Sequence, residues 1–304
     1  MVGLRNTPSR WSLPRVDTRR KKTAKPLNME LNKIYNEDCL ATLKKMKDDS
    51  IDLVVTSPPY NMNLRIRRKK GEGKYEDGAW GEYTSRQIVK EFSSKYEQFD
   101  DNLPIDEYNA LHTEILHELL RVSPLVFYNI AIVTGSKRSV FKMIGEFHEQ
   151  LKDIIIWDKG HGQPAMAEHV LNRRTELILV FDKHDAISRQ FLEKGRFQRG
   201  TIEDIWVIKR QRSKLKGHGA VFPEELVEKI LANFSDENDV IYDPFMGTGT
   251  TALVARNLNR NYIGSEISQE YITVAQDRLR NSQQQLFTTT KEDRPTKNFL
   301  GNGK

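Results

Sequence analysis

The chain has 304 residues, 38% of them hydrophobic, with 48 Lys and Arg against 42 Asp and Glu for a net charge of +6. That length suits one large α/β domain or two small ones. No run reaches the roughly 18 apolar residues of a membrane span, and no apolar signal stretch opens the chain, so a cytoplasmic protein is expected. A lone cysteine, Cys39, excludes an internal disulfide framework and a multi-cysteine metal site.

In chain order, residues 1–28 form a basic tail. Its first 26 residues hold eight Lys and Arg and one acid, Asp17. It has no apolar period, so a flexible segment is expected. Such charge suits a polyanion through phosphate neutralisation, or is simply solvated. Strands are expected at 31–35 and 51–56, the second running into Ser57-Pro-Pro-Tyr60. An insert over 61–98 carries Arg67, Arg68 and Lys70. A helix over 105–121 places Tyr108, Leu111, Ile115 and Leu119 on one face. Strands follow at 125–134, 153–158, 176–181 and 205–208. The stretch 182–217 ends in a second basic cluster that includes Arg210 and Arg212.

A helix over 224–234 then leads to a strand at 240–242, a glycine-rich turn and another helix. A strand at 262–265 precedes a helix over 269–279 with Ser268 as its N-cap. Beyond 282 the chain is rich in Gln, Thr and Asn, and a frayed tail to 304 is expected. Strands alternating with helices indicate an α/β, mostly parallel sheet covered on both faces. Ligands in such sheets bind beyond the carboxyl ends of strands.

The first such loop is Asp243-Pro-Phe-Met-Gly-Thr-Gly-Thr250. A glycine-rich turn between strand and helix lets backbone N–H groups approach a polar ligand. Gly247, Gly249 and Ala252 match the G-x-G-x-x-G/A spacing, and Glu266 at the end of the next strand suits ribose hydroxyls. No lysine follows Gly249 as a phosphate loop requires. A carboxylate at Asp243 suits a ligand with a cationic end, such as S-adenosylmethionine, and would repel a pyrophosphate.

The second loop is Ser57-Pro-Pro-Tyr60. Two prolines hold an extended backbone without N–H groups, leaving carbonyls to face a ligand. An amino group conjugated to a heteroaromatic ring is a poor nucleophile. Accepting its N–H bonds at the Ser57 hydroxyl and the Pro58 carbonyl would free its lone pair, while Tyr60 stacks on the ring. A base in a duplex reaches such a pocket only when flipped out.

Together, Thr56-Ser-Pro-Pro-Tyr60 and Asp243-Pro-Phe-Met-Gly-Thr-Gly-Thr250 resemble the DNA amino-methyltransferases, in the permuted motif order of their β group. The resemblance covers roughly residues 30–281. It implies a doubly wound, Rossmann-like sheet of the class I methyltransferase kind with a short target-recognition insert, in a catalytic domain over 29–281. It implies S-adenosylmethionine as cofactor, held by Asp38, Cys39, Phe222, Pro223, Asp243, Pro244, Phe245, Met246, Gly247, Thr248, Gly249, Thr250, Glu266 and Ile267. Asp38 would receive the adenine amine, although it also suits a helix N-cap. Asn172-Arg-Arg-Thr-Glu176 resembles the segment lining the base pocket. His218-Gly-Ala-Val-Phe-Pro223 resembles the element facing the methionine moiety, with Gly219 where proline is usual.

Ser57, Pro58, Pro59 and Tyr60 are the implied catalytic residues. Direct transfer needs no covalent intermediate, no metal and no thiol from Cys39. In the resembling family a serine before the two prolines favours cytosine N4 over adenine N6. Arg67, Arg68, Lys70, Arg210 and Arg212 are expected to contact double-stranded DNA, although a flap over the pocket is an equal role for the insert. A restriction endonuclease acting separately is the expected partner of a monomer or homodimer. An RNA or protein amide methyltransferase, a non-catalytic DNA-binding regulator and an NAD-dependent enzyme are the rival classes.

Overall fold

The computed structural model describes residues 28–61, 103–133, 136–163, 169, 171–191, 194–211 and 222–292, the last ten as backbone alone. The basic tail before residue 28, Arg67, Arg68, Lys70, Arg212, His218 and Gly219 lie outside the described residues.

Fourteen elements are described. They run β1 (Lys33–Tyr35), α1 (Cys39–Lys45), β2 (Leu53–Thr56), α2 (Ile105–Val122), β3 (Leu125–Ile130), α3 (Lys137–Glu146), β4 (Leu151–Gln163), β5 (Arg173–Asp182), β6 (Ile205–Val207), α4 (Glu224–Phe234), β7 (Val240–Asp243), α5 (Thr250–Asn257), β8 (Asn261–Ser265) and α6 (Gln269–Glu292). The eight strands form one sheet in the order β1-β8-β7-β2-β3-β5-β4-β6. All neighbours pair in parallel except β5, which runs antiparallel to both β3 and β4.

Strand alternation sends successive side chains to opposite faces. Leu53 and Val55 of β2 and Phe127 of β3 join one core with α4 and α5. Val54, Val126 and Tyr128 join the other with α1, α2 and α3. The sheet is therefore doubly wound, as expected. Helix α4 buries Leu226, Val227, Ile230, Leu231 and Phe234, each contributing about 1.5–3 kcal/mol on leaving water. Among the described residues no helix is long and apolar enough to cross a membrane.

Three elements run longer than their apolar runs. β4 and β5 continue as a paired ribbon beyond the expected 153–158 and 176–181. Polar residues such as Lys159 and Arg174 break the apolar signal there while the backbone pairing continues. Helix α6 continues to Glu292, past the boundary at 281. Its first turn is capped as expected, the Ser268 hydroxyl accepting from the Tyr271 N–H at 3.4 Å.

Candidate active site

β2 and β7 are hydrogen-bonded neighbours in the middle of the sheet, so both motif loops leave it at the same edge. A buried hydrogen bond joins them: the Thr56 hydroxyl donates to Asp243 Oδ1 at 2.8 Å. Asp243 also accepts from the Phe245 N–H at 3.0 Å and, through Oδ2, from the Thr251 hydroxyl at 2.6 Å. Both its oxygens are therefore spent inside the protein. Its position differs from the ligand-facing one expected: Asp243 is buried and shapes the turn from beneath. Burial pushes its carboxyl up to about 6, against the lowering effect of these three donors.

The turn is locked from its other side by Glu266. Oε2 accepts from the Gly247 N–H and Oε1 from the Ser268 N–H, each at 2.8 Å. Burial raises the Glu266 carboxyl above its ordinary range. Gly247 and Gly249 both take positive φ, +53° and +80°, which favours glycine. A Cβ at Gly249 would stand 2.7 Å from the Ala275 Cβ, so that glycine admits helix α6. A Cβ at Gly247 would meet nothing nearer than 3.9 Å, leaving open space over the turn. Thr248 and Thr250 are buried, and Arg278 binds the Thr248 carbonyl at 2.6 Å and Glu224 at 2.8 Å. Arg278 thereby links the turn to the start of α4, where Pro223 is buried and Phe222 half-buried. Pro244 is also buried, and Phe245 and Ile267 are half-buried.

At the end of β1, Asn36 donates to the carbonyls of Glu266 and Ile267 at 3.0 and 2.9 Å. This brings exposed Asp38 to the same rim. One Asp38 oxygen caps α1 by accepting from the Leu40 N–H at 2.8 Å. Cys39 does not reach the rim by its side chain. The thiol packs into the core, where burial pushes it up to about 12 and suppresses the thiolate.

After β2, Ser57 and Tyr60 lie in a polar cluster of residues drawn from four segments. The Tyr60 hydroxyl is 3.0 Å from Ser57 Oγ and donates to Glu176 Oε2 at 2.8 Å. Asn129 Nδ2 donates to Tyr60 at 2.6 Å, to Glu176 at 2.9 Å and, more weakly, to Ser57 at 3.2 Å. Glu176 Oε1 meets the Lys159 ammonium at 2.9 Å, and these side chains are only 11% and 4% exposed. The Lys159 ammonium lies 5.8 Å from the centre of the Trp157 ring. Asn129 Oδ1 is buried without a hydrogen-bond partner among the described residues.

The carbonyl of Pro59 accepts from the Tyr108 hydroxyl at 2.8 Å and is committed to the scaffold, a correction to the expectation that both prolines offer free carbonyls. Pro58 itself is buried. The Tyr60 carbonyl accepts from Ser136 at 2.8 Å, and Asn61 Nδ2 reaches the Leu103 carbonyl at 2.8 Å. The residues on either side of 62–102 are thus joined beside the site. Arg210 is exposed just beyond β6.

Asn129, Lys159 and Arg278 complete the site and were not singled out by the motifs. Asn129 carried a signal: it is the one amide in the otherwise apolar-aromatic strand Leu125–Ile130. Lys159 and Arg278 carried none beyond their charge.

Residues 51–277, about three quarters of the chain, match the model of the N6/N4 methyltransferase family described as DNA methylase. Type II methyltransferase M.BglII of Bacillus subtilis is 28% identical over 282 residues, covering 81% of this chain and 68% of that protein. Type II methyltransferase M.HinfI of Haemophilus influenzae is 29% identical over 270 residues, covering 84% and 70%. Among solved structures, the cytosine-N4-specific PvuII DNA methyltransferase aligns with a TM-score of 0.58 at 20% identity, covering 83% of this chain and 89% of that one. M1.HpyAVI in complex with S-adenosylmethionine aligns at 0.50 with 22% identity, covering 81% and 98%. These two structures share the fold just described. The extent of the family match decides the assignment: this chain belongs to the N6/N4 DNA methylase family.

Proposed function

We propose that the chain transfers a methyl group from S-adenosylmethionine to the exocyclic N4 amine of a cytosine flipped out of duplex DNA. The observation that carries this reading is the buried Thr56–Asp243 hydrogen bond, which holds the Ser57–Tyr60 loop beside the glycine turn. A cofactor over Gly247 and a base against Tyr60 would then be neighbours.

The residues present fit the cofactor. The surface over Gly247 is open, and Asp38 lies on the rim for an adenine amine. Glu266 is half-buried, and each of its oxygens, accepting one backbone N–H, has a further lone pair for a ribose hydroxyl. Phe222, Phe245 and Ile267 supply half-buried apolar surface. Bound there, S-adenosylmethionine supplies an electrophilic methyl carried on a sulfonium. Ser57 Oγ and the Pro58 carbonyl accept the two N–H bonds of the target amine and aim its lone pair. Tyr60, fixed by three hydrogen-bond partners, holds the base ring in plane. Orientation of this kind accounts for most of the expected acceleration.

Duplex DNA would be gripped by Arg67, Arg68 and Lys70 together with Arg210 and Arg212, in a cytoplasmic enzyme working as a monomer or homodimer. The type II relatives support a partner endonuclease of the same specificity acting separately. Neutralising Arg67, Arg68 and Lys70 should weaken DNA binding and flatten its salt dependence. Unchanged binding would make the insert ordinary surface.

The test is to incubate the protein with methyl-labelled S-adenosylmethionine and mixed-sequence duplex DNA, digest to nucleosides and identify the product by mass spectrometry, with Ser57→Ala as control. N4-methylcytosine is expected. N6-methyladenine would move the assignment to the other base of the family. No labelled nucleoside would overturn the reading.

A further inference from the structure

The cluster around Tyr60 is more elaborate than a stacking platform requires. An aromatic ring holds a base through its face, yet this hydroxyl ends at a carboxylate that is itself paired, under cover, with a lysine. Burying such a pair is costly in desolvation and adds little net stability over apolar packing. A use beyond stability is therefore indicated.

The direction of the hydrogen bonds follows from which groups can donate. A carboxylate only accepts, so the Asn129 atom facing Glu176 is Nδ2, and the Tyr60 hydroxyl gives its proton to Glu176. Tyr60, having spent its proton there, accepts from Ser57. The Ser57 oxygen accepts from Asn129 Nδ2, and a hydroxyl oxygen has a second lone pair with which to accept an amine N–H. The chain Ser57 to Tyr60 to Glu176 is thus ordered as a one-way proton path with its acceptor at the far end.

Methyl transfer to an exocyclic amine creates a proton that must leave. The amine lone pair forms the N–C bond as the C–S bond breaks, its electron pair staying on sulfur, and the nitrogen carries a positive charge. Loss of one N–H proton, its bonding pair returning to nitrogen, completes the reaction. We propose that Glu176, ion-paired with Lys159 at 2.9 Å, is the terminal acceptor of this proton through Tyr60 and Ser57. Ser57 takes the amine proton and passes its own to Tyr60, which passes its own to Glu176. The charge balances: the sulfonium's positive charge passes to the base with the methyl and ends as the proton that neutralises the Glu176 carboxylate. The path deepens the amine-methyltransferase reading and rests on it.

The groups facing Glu176 among the described residues are Lys159 from β4, Tyr60 from the loop after β2 and Asn129 from β3. Along β5, Arg174 is held by both oxygens of Asp158. Glu176→Gln keeps the shape and removes the acceptor. In single-turnover methyl transfer with saturating DNA and S-adenosylmethionine, it should slow the reaction by at least about 100-fold. Its residual rate should climb with pH as hydroxide replaces the missing acceptor, a dependence the wild type lacks in the same range. S-adenosylmethionine and DNA affinities, measured by calorimetry, should be unchanged.

Tyr60→Phe should cost as much, and the double variant no more than either alone, because both cut one path. Should Glu176→Gln fail to fold around an unpaired Lys159, the paired variant Lys159→Gln with Glu176→Gln removes both charges and must show the same slow, pH-climbing rate. A Glu176→Gln enzyme within about threefold of wild type, or slowed with the wild-type pH profile, overturns the relay. A wild-type protein that methylates no nucleoside overturns the underlying reading and the relay with it.

Discussion

The glycine turn after β7 and the polar cluster after β2 stand side by side on one sheet edge, but they are held by opposite means. The turn is fixed mainly through its backbone: Phe245 and Gly247 N–H groups donate to Asp243 and Glu266, two carboxylates at the ends of neighbouring strands, and Arg278 holds the Thr248 carbonyl. The cluster is fixed by side chains alone, with Ser57, Tyr60, Asn129, Lys159 and Glu176 meeting from segments spread over 120 positions of the chain. A turn of the first kind tolerates change in most side chains and little in its backbone. A cluster of the second kind depends on each member's functional group.

That contrast can be broken first at Lys159. Lys159→Met would leave the Glu176 carboxylate buried and unpaired, at a cost of roughly 3–5 kcal/mol. The urea midpoint reports this, and a midpoint equal to wild type would show that the cluster does not support the fold. The two glycines sharpen the comparison from the other side. Gly249→Ala meets both a left-handed φ and the Ala275 contact, so a loss of about 2–3 kcal/mol is expected. Gly247→Ala meets only the φ penalty, about 1 kcal/mol. Its larger effect should be on S-adenosylmethionine binding, and calorimetry of the two variants would reverse the order that denaturation gives.

Asp243 tests the turn by pH. Burial raises its pKa from 3.8 to about 6, so the folded state holds a proton that the unfolded state releases. Its contribution is fully present below about pH 3.8 and lost as pH rises through about 6, on the order of 3 kcal/mol in all. Asp243→Asn should lack this decline. His112 works in the opposite sense, since burial lowers its pKa from 6.5 to about 3 and acid must charge it. The stability difference between wild type and variant across this range isolates Asp243, and a difference independent of pH would refute its buried titration. The smallest effect is expected at Arg280, which pairs with Asp277 in solvent. Arg280→Ala should fall within about 0.5 kcal/mol of wild type by urea denaturation.

Much of the turn is legible in sequence because its parts are contiguous. Asp243, both glycines and the following helix occupy one short stretch, and Glu266 ends the next strand. Even so, the residues alone pointed Asp243 toward a ligand. The structure turns it inward, because Thr56 and Thr251 supply hydroxyls to both its oxygens. Ser57 and Tyr60 were likewise visible, whereas Asn129 and Lys159 lie 69 and 99 positions beyond Tyr60. The Pro59 carbonyl was free on paper only because Tyr108, on α2, was read as a core residue without a use for its hydroxyl.

What the amino-acid order determined by itself was the alternation of buried strands and amphipathic helices, the doubly wound sheet that follows from it, and the two loops at strand ends where chemistry belongs. Those features depend on local periodicity and on the backbone demands of glycine and proline, which a few neighbouring residues express. Tertiary structure decided which carboxylates face inward, which carbonyls are already taken, and that a lysine, a glutamate, an amide, a tyrosine and a serine form one hydrogen-bonded chain. Parallel and antiparallel pairing of β2, β3, β5 and β4 brings those residues within hydrogen-bond distance, and strand order in a sheet is set by the packing of whole faces.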